Sequence, residues 1–155
     1  MNVAAPIKES ERQRINRELI ELLGELRIAL PGVQVLFAFL LAVPFQSGFG
    51  DASGFQRGVY FATLALSALT SVLLIAPSAL HRLNFRSADK RRIVFLSNGL
   101  TIWGLFTLAV AMTGVMLLIA DFLFGLAAGL AVAAISAAVF AVFWWLLPTI
   151  WIGET

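Results

Sequence analysis

The chain has no cysteine among its 155 residues, a single histidine and very little charge. Without cysteine there is no disulfide, no thiol nucleophile and no thiolate metal site. One histidine, His81, with no carboxylate beside it, is too few ligands for a metal centre. Next to Arg82 it reads as an interfacial group, or as a pH-sensing one, since its reference pKa is near 6.5. Charged residues make up 13% of the chain and hydrophobic ones 60%, with a mean hydropathy of +0.91. A soluble domain is nearer a quarter charged, and a globule of this size has too much surface to hide such an excess from water. Lipid is the natural solvent, and one compact membrane domain fills the chain.

What the sequence does have is four apolar stretches of spanning length, roughly Leu26 to Phe45, Gly58 to Leu80, Ile93 to Ala120 and Phe122 to Leu147. A bilayer core of about 30 Å needs about 20 apolar residues in a helix. The predicted fold is all-α: a polytopic four-helix bundle (26–147), preceded by a tail and amphipathic helix (1–25) and followed by a short tail (148–155). The first 25 residues are too charged for a cleavable signal, so the first span is a retained helix. In that segment Ile15, Leu19, Leu22, Leu23 and Leu26 recur at helical spacing, opposite Arg12, Arg14, Arg17, Glu18 and Glu21. Five basic and five acidic residues between Lys8 and Arg27 cancel. The segment therefore rests on the membrane surface or on the bundle, or forms a coiled coil with a second copy. Leu30-Pro31-Gly32 predicts a kink between it and the first span.

Ten of the eleven Lys and Arg residues fall on one side of the spans, with only Arg57 opposite. By the positive-inside rule both termini are cytoplasmic, in a cell inner membrane, with Trp144, Trp145 and Trp151 at the inner interface and Tyr60 at the outer. The pI of about 9.7 does not imply nucleic acid, because the net charge is only +2 and the basic residues follow topology. Uncompensated positive charge lies in one loop, where Arg82, Arg86, Lys90, Arg91 and Arg92 face only Asp89. Those five are the candidate contacts for anionic lipid head groups.

Within the spans the signals are about packing. Gly125, Gly129, Ala133, Ala137 and Ala141 recur every four residues, a groove for another helix of the same chain or of a second copy. Thr63, Ser67, Thr70 and Ser71 in span two, Asn98, Thr101, Gly104 and Thr107 in span three, and Gln34 in span one, with Ala38 and Ala42 on its face, are expected to line a thin polar seam: interhelical hydrogen bonds or a polar path. No ionisable residue lies at mid-span. Asp121, at the outer turn between spans three and four, is expected to cap span four, or to accept an ion or proton at an outer mouth. There is no paired carboxylate in a span, no nucleophile–base set and no phosphate loop, so the protein is expected to be non-enzymatic and without a cofactor.

Two runs stand out: Glu25-Leu26-Arg27-Ile28-Ala29-Leu30-Pro31-Gly32-Val33-Gln34, and Leu74-Ile75-Ala76-Pro77-Ser78-Ala79-Leu80-His81-Arg82-Leu83. Together they resemble a family of small bacterial four-span membrane proteins classed as a domain of unknown function. Some members of such families bear the label of sodium/proton antiporter, and this chain lacks the midplane carboxylate such exchange would use. The resemblance and the kinked start of span one together predict a cytoplasmic polar cluster of Arg27, Gln34, His81 and Arg82. The expected function is association with itself, a partner or anionic lipid; the alternative is a homo-oligomeric small-ion or proton-coupled transporter.

Overall fold

A computed structural model of the chain describes residues 11–83 and 90–152. The order is α1 (Glu11–Ala42), two short 3-10 turns (Val43–Phe45 and Ser47–Asp51), α2 (Gly54–Leu83), α3 (Lys90–Phe124) and α4 (Leu126–Ala141). A π-helical turn (Val142–Leu146) carries α4 on into α5 (Leu147–Ile152). Four helices are long and apolar enough to cross a membrane: Gln13–Phe45, Gly54–Leu83, Arg91–Phe124 and Leu126–Ile150. The all-α reading holds.

The tightest contact is the antiparallel pair α2–α3. Lipid tails are as apolar as leucine, so helices in a bilayer associate by close packing and polar contacts and gain nothing from excluding water. Thr63, Ser67, Thr70, Leu74 and Pro77 are buried along one side of α2 at steps of three and four. They meet an α3 surface kept low by small residues. A Cβ on Gly104 would sit 2.9 Å from Leu74 Cγ, and one on Gly114 would collide with the Thr63 hydroxyl. Between these two contacts Thr70 Oγ1 lies 2.8 Å from Thr107 Oγ1, and Thr107 donates to the Gly104 carbonyl. The other hydroxyls turn back on their own helices: Thr63 to Val59, Ser67 to Leu64, Ser71 to Ser67 and Thr101 to Ser97. The hydroxyls of the predicted polar seam lie in a packed interface, whereas Asn98 and Gln34, expected in the same seam, are exposed.

α1 lies in the side of this pair. Leu22, Leu26 and Val33 bury against Leu74, with Ala29, Leu30 and Leu108 around them. Pro31 does not interrupt the helix: α1 runs unbroken from Glu11 to Ala42, so no break separates the amphipathic segment from the span. Leu26 and Ala29 before the proline and Val33 after it join one apolar cluster, so packing supports both halves although Pro31 has no N–H for the Arg27 carbonyl. The amphipathic segment therefore packs on the bundle and continues directly into the span. Its Arg14–Glu18 and Arg17–Glu21 pairs (2.8 and 3.7 Å) are exposed and contribute only a few tenths of a kcal/mol each. At the far end the Tyr60 hydroxyl donates to the Leu40 carbonyl at 2.9 Å. Tyr60 is buried, a tie between α1 and α2.

The turn between α3 and α4 falls at Gly125, whose φ of +87° an L side chain rarely adopts. α3 thus continues through Asp121 to Phe124. Asp121 is inside α3 and does not cap α4, correcting the sequence expectation. α4 leans on α3, tightest at Gly129, where a Cβ would stand 2.9 Å from Asp121 Cβ. Among the described elements, α4's close backbone contacts beyond its own continuation are with α3 alone. Successive helices are antiparallel, so the start of α1 and the end of α5 lie at the same end of the molecule.

Gly104→Ala is expected to destabilise the fold by about 1–3 kcal/mol, since the added methyl meets Leu74 in a packed contact. Gly99→Ala, with nothing within 4 Å, is the control. Thermal unfolding in detergent distinguishes them, and equal midpoints would contradict the close contact.

Candidate functional site

The one carboxyl side chain buried among the described residues is Asp121, 8% exposed. Three segments converge on it. α3 supplies the carboxylate and α4 closes over it at Gly129. The start of α2 supplies the donor: Gln56 Nε2 bonds Asp121 Oδ2 at 3.0 Å. Gln56 is itself fixed by a reciprocal capping pair. Its side-chain oxygen accepts from the Ser53 N–H at 2.9 Å, and its own N–H donates to Ser53 Oγ at 3.2 Å. That is the capping-box arrangement, read in the sequence as Ser53-x-x-Gln56. The sequence analysis passed over this signal, and with it Gln56.

The surroundings are apolar. The turns between α1 and α2 lie over the end of α3, held by Arg57, which donates to the Gly50 carbonyl at 2.9 Å, and by an edge-to-face contact of Phe49 on Tyr60. A cavity of about 380 Å³ opens there, lined by Gln46, Phe49, Gln56, Ile119 and Phe122 among others. Arg57 is committed to the loop, so the Asp121 carboxylate is held by a neutral amide and not by a cation. Such a group can accept a proton or a small cation. Among the described residues no group of three His, Asp or Glu side chains could hold a metal ion.

The remaining candidates are dispersed. Arg27, Gln34 and Arg82 are exposed, and no hydrogen bond or ion pair joins any of them to another; His81 is half-buried. Arg82, Arg91 and Arg92 are exposed at the same end of the molecule, whereas Arg86 and the Lys90 side chain lie outside the described residues. In the small-residue groove Gly129 is buried and Ala133 half-buried, but Ala137 and Ala141 are exposed. They border a wedge of about 500 Å³ between α3 and α4, lined also by Phe106, Thr113, Phe140 and Trp145 among others. Phe106 of α3 meets Trp145 across it, with ring centroids 6.0 Å apart, and Trp103 backs Phe106 along α3 at 5.8 Å. A groove of about 560 Å³ lies between α1 and the start of α3, flanked by Glu18, Glu21, Glu25, Arg91, Phe95 and Asn98. The buried Ser97 Oγ has no partner, a feature no sequence signal announced.

The helices and their lengths define a multi-pass membrane protein. Residues 8–148 match a family of unknown function, DUF6328, and the chain belongs to that family. No curated protein and no solved structure matches it.

Gln56→Leu is expected to cost about 1–3 kcal/mol, because it leaves a buried carboxylate without its donor. Asp121→Asn keeps an acceptor for Gln56 and is expected to fold with a smaller loss. Unfolding midpoints of the two variants check the order.

Proposed function

We propose that the protein is a non-enzymatic component of a bacterial inner membrane that acts by lateral association, with itself or a partner, and with anionic lipid at its basic end. The observation that carries this reading is the closeness of the α2–α3 contact. The hydroxyls that could have lined a path through the chain are packed helix on helix, with Thr70 on Thr107 and Thr63 on Gly114. The three cavities open at helix edges, between α1 and α3, between α3 and α4, and under the turns that join α1 to α2.

The helix register supports an orientation. From the Leu40–Tyr60 tie, equal steps back along α1 and forward along α2 lead to Arg27 and Leu73. Leu73 Cβ lies 3.5 Å from the Cβ position of Gly104, and Trp103 is its neighbour. Phe106, less than a turn further along α3, stacks on Trp145. Arg27, Trp103 and Trp145 therefore share a level, the arrangement of an inner interface. From there to Gln56 and Asp121 is about 26 Å of helix, close to the thickness of a bilayer core of about 30 Å. Glu21 and Glu25, exposed on α1, limit how much deeper that end can sit. On this reading the basic residues and both termini are cytoplasmic. The native absence of cysteine allows a direct test: Asp51→Cys is expected to react with an impermeant maleimide in intact spheroplasts, and Glu21→Cys only after permeabilisation. The reverse pattern would invert the topology.

Transport is the second reading, and buried Asp121 at the outer end favours it. Reconstituted liposomes under a pH or cation gradient are expected to show no flux above empty ones. Flux abolished by Asp121→Asn would replace association by transport.

A further inference from the structure

We infer that a second copy of the chain docks on the outward face of α1, with Gln34 of each copy hydrogen-bonded to the other. This rests on the lateral-association reading above. Gln34 is exposed on α1, about 10 Å of helix beyond Arg27, with Val35 to Val43 still to follow in an unbroken apolar run. No side-chain hydrogen bond within the described residues reaches its amide. Lipid tails can neither donate nor accept, so an amide at that depth lacks everything it had in water. The contrast within the same molecule is Gln56, whose amide oxygen and nitrogen are both engaged.

The same face carries a second polar deficit. Pro31 has no N–H, so the carbonyl of Arg27 loses its helical donor two turns before Gln34. On a repeat of 3.6 residues Arg27, Pro31, Gln34, Ala38 and Ala42 fall on one side of the helix, and all five are exposed. Leu26, Val33 and Leu40, on the other side, are the residues that bury against the bundle. Among the described residues no element covers the outward side.

A second copy fits this face for three reasons. A carboxamide holds both a donor and an acceptor, so two related by a two-fold axis along the membrane normal satisfy each other. Two copies in one membrane share depth and orientation, which brings Gln34 level with Gln34. Ala38 and Ala42 are small enough for the backbones to approach. Arg27 opposes the contact by like charge, but it stands at the water end, where its long side chain reaches away into solvent. The exposed surface of α4 is the rival, and its Ala131, Ala134 and Ala138 carry no side-chain polar group in need of a partner.

The test uses single cysteines in the otherwise cysteine-free full chain, oxidised in native membranes. Ala38→Cys on α1 is expected to give a covalent dimer, and Ala134→Cys on α4 to stay monomeric. Adding Gln34→Leu to Ala38→Cys should lower the dimer association constant about three- to tenfold, the effect of losing one interhelical polar contact in a membrane. Gln34→Asn, which keeps the amide, should retain the dimer. Cross-linking through Ala134→Cys alone would overturn the α1 interface while leaving lateral association standing. An undiminished dimer in Gln34→Leu would overturn the role of the amide. No cross-link at either position, with single-molecule photobleaching in one step, would overturn both the interface and self-association.

Discussion

The close antiparallel contact of α2 with α3 fixes the position of everything else. In water such a pair would be held by the exclusion of solvent; in lipid it needs surfaces that meet at short range. Gly104 and Gly114 lower one surface where Leu74 and Thr63 rise from the other. Because the contact is long, it leaves a continuous flank into which Leu22, Leu26 and Val33 of α1 bury. α4 leans on α3 at Asp121 and Gly129, at the end where α3 also meets the start of α2 through Gln56. The order of dependence is therefore α2–α3 first, α1 on both, and α4 on α3.

The hydroxyls of that contact illustrate how polarity in a span can serve packing. Thr and Ser can return their proton to a carbonyl of their own helix, so they stay satisfied whether or not a partner is present. Thr63, Ser67, Ser71, Thr101 and Thr107 do this, and Thr70 with Thr107 adds one direct bridge, which in membranes contributes about 0.6 kcal/mol on average. The stripe is polar by composition and closed by geometry.

Much of this was legible in the sequence. Span number and class follow from length and hydropathy, and the spacing of Thr63, Ser67 and Thr70 marked the buried side of α2. Three features were not legible, for separate reasons. Pro31 reads as a break, yet the apolar cluster on either side of it outweighs one missing backbone bond. The α3–α4 turn was placed too early, at Asp121, because residues 118–130 are apolar enough to be helix throughout, and only the backbone angle at Gly125 identifies the turn. The Gln56–Asp121 bond joins residues 65 apart in sequence, which no local pattern can announce, although Ser53-x-x-Gln56 did advertise a helix start.

Two glutamines divide the molecule's polar groups by purpose. Gln56 is tied at both ends of its amide, to the Ser53 backbone and to Asp121, and its role ends within the fold. Gln34 stands on an outward face inside an apolar run, two turns beyond the Arg27 carbonyl that Pro31 deprives of its donor. A lipid-facing amide contributes nothing to the stability of the isolated chain, since leucine there would be solvated better. The proposed interface would supply what lipid cannot, a polar partner on another protein surface at the same depth. Satisfied groups report how the chain folds, and on that proposal the outward amide reports what it meets.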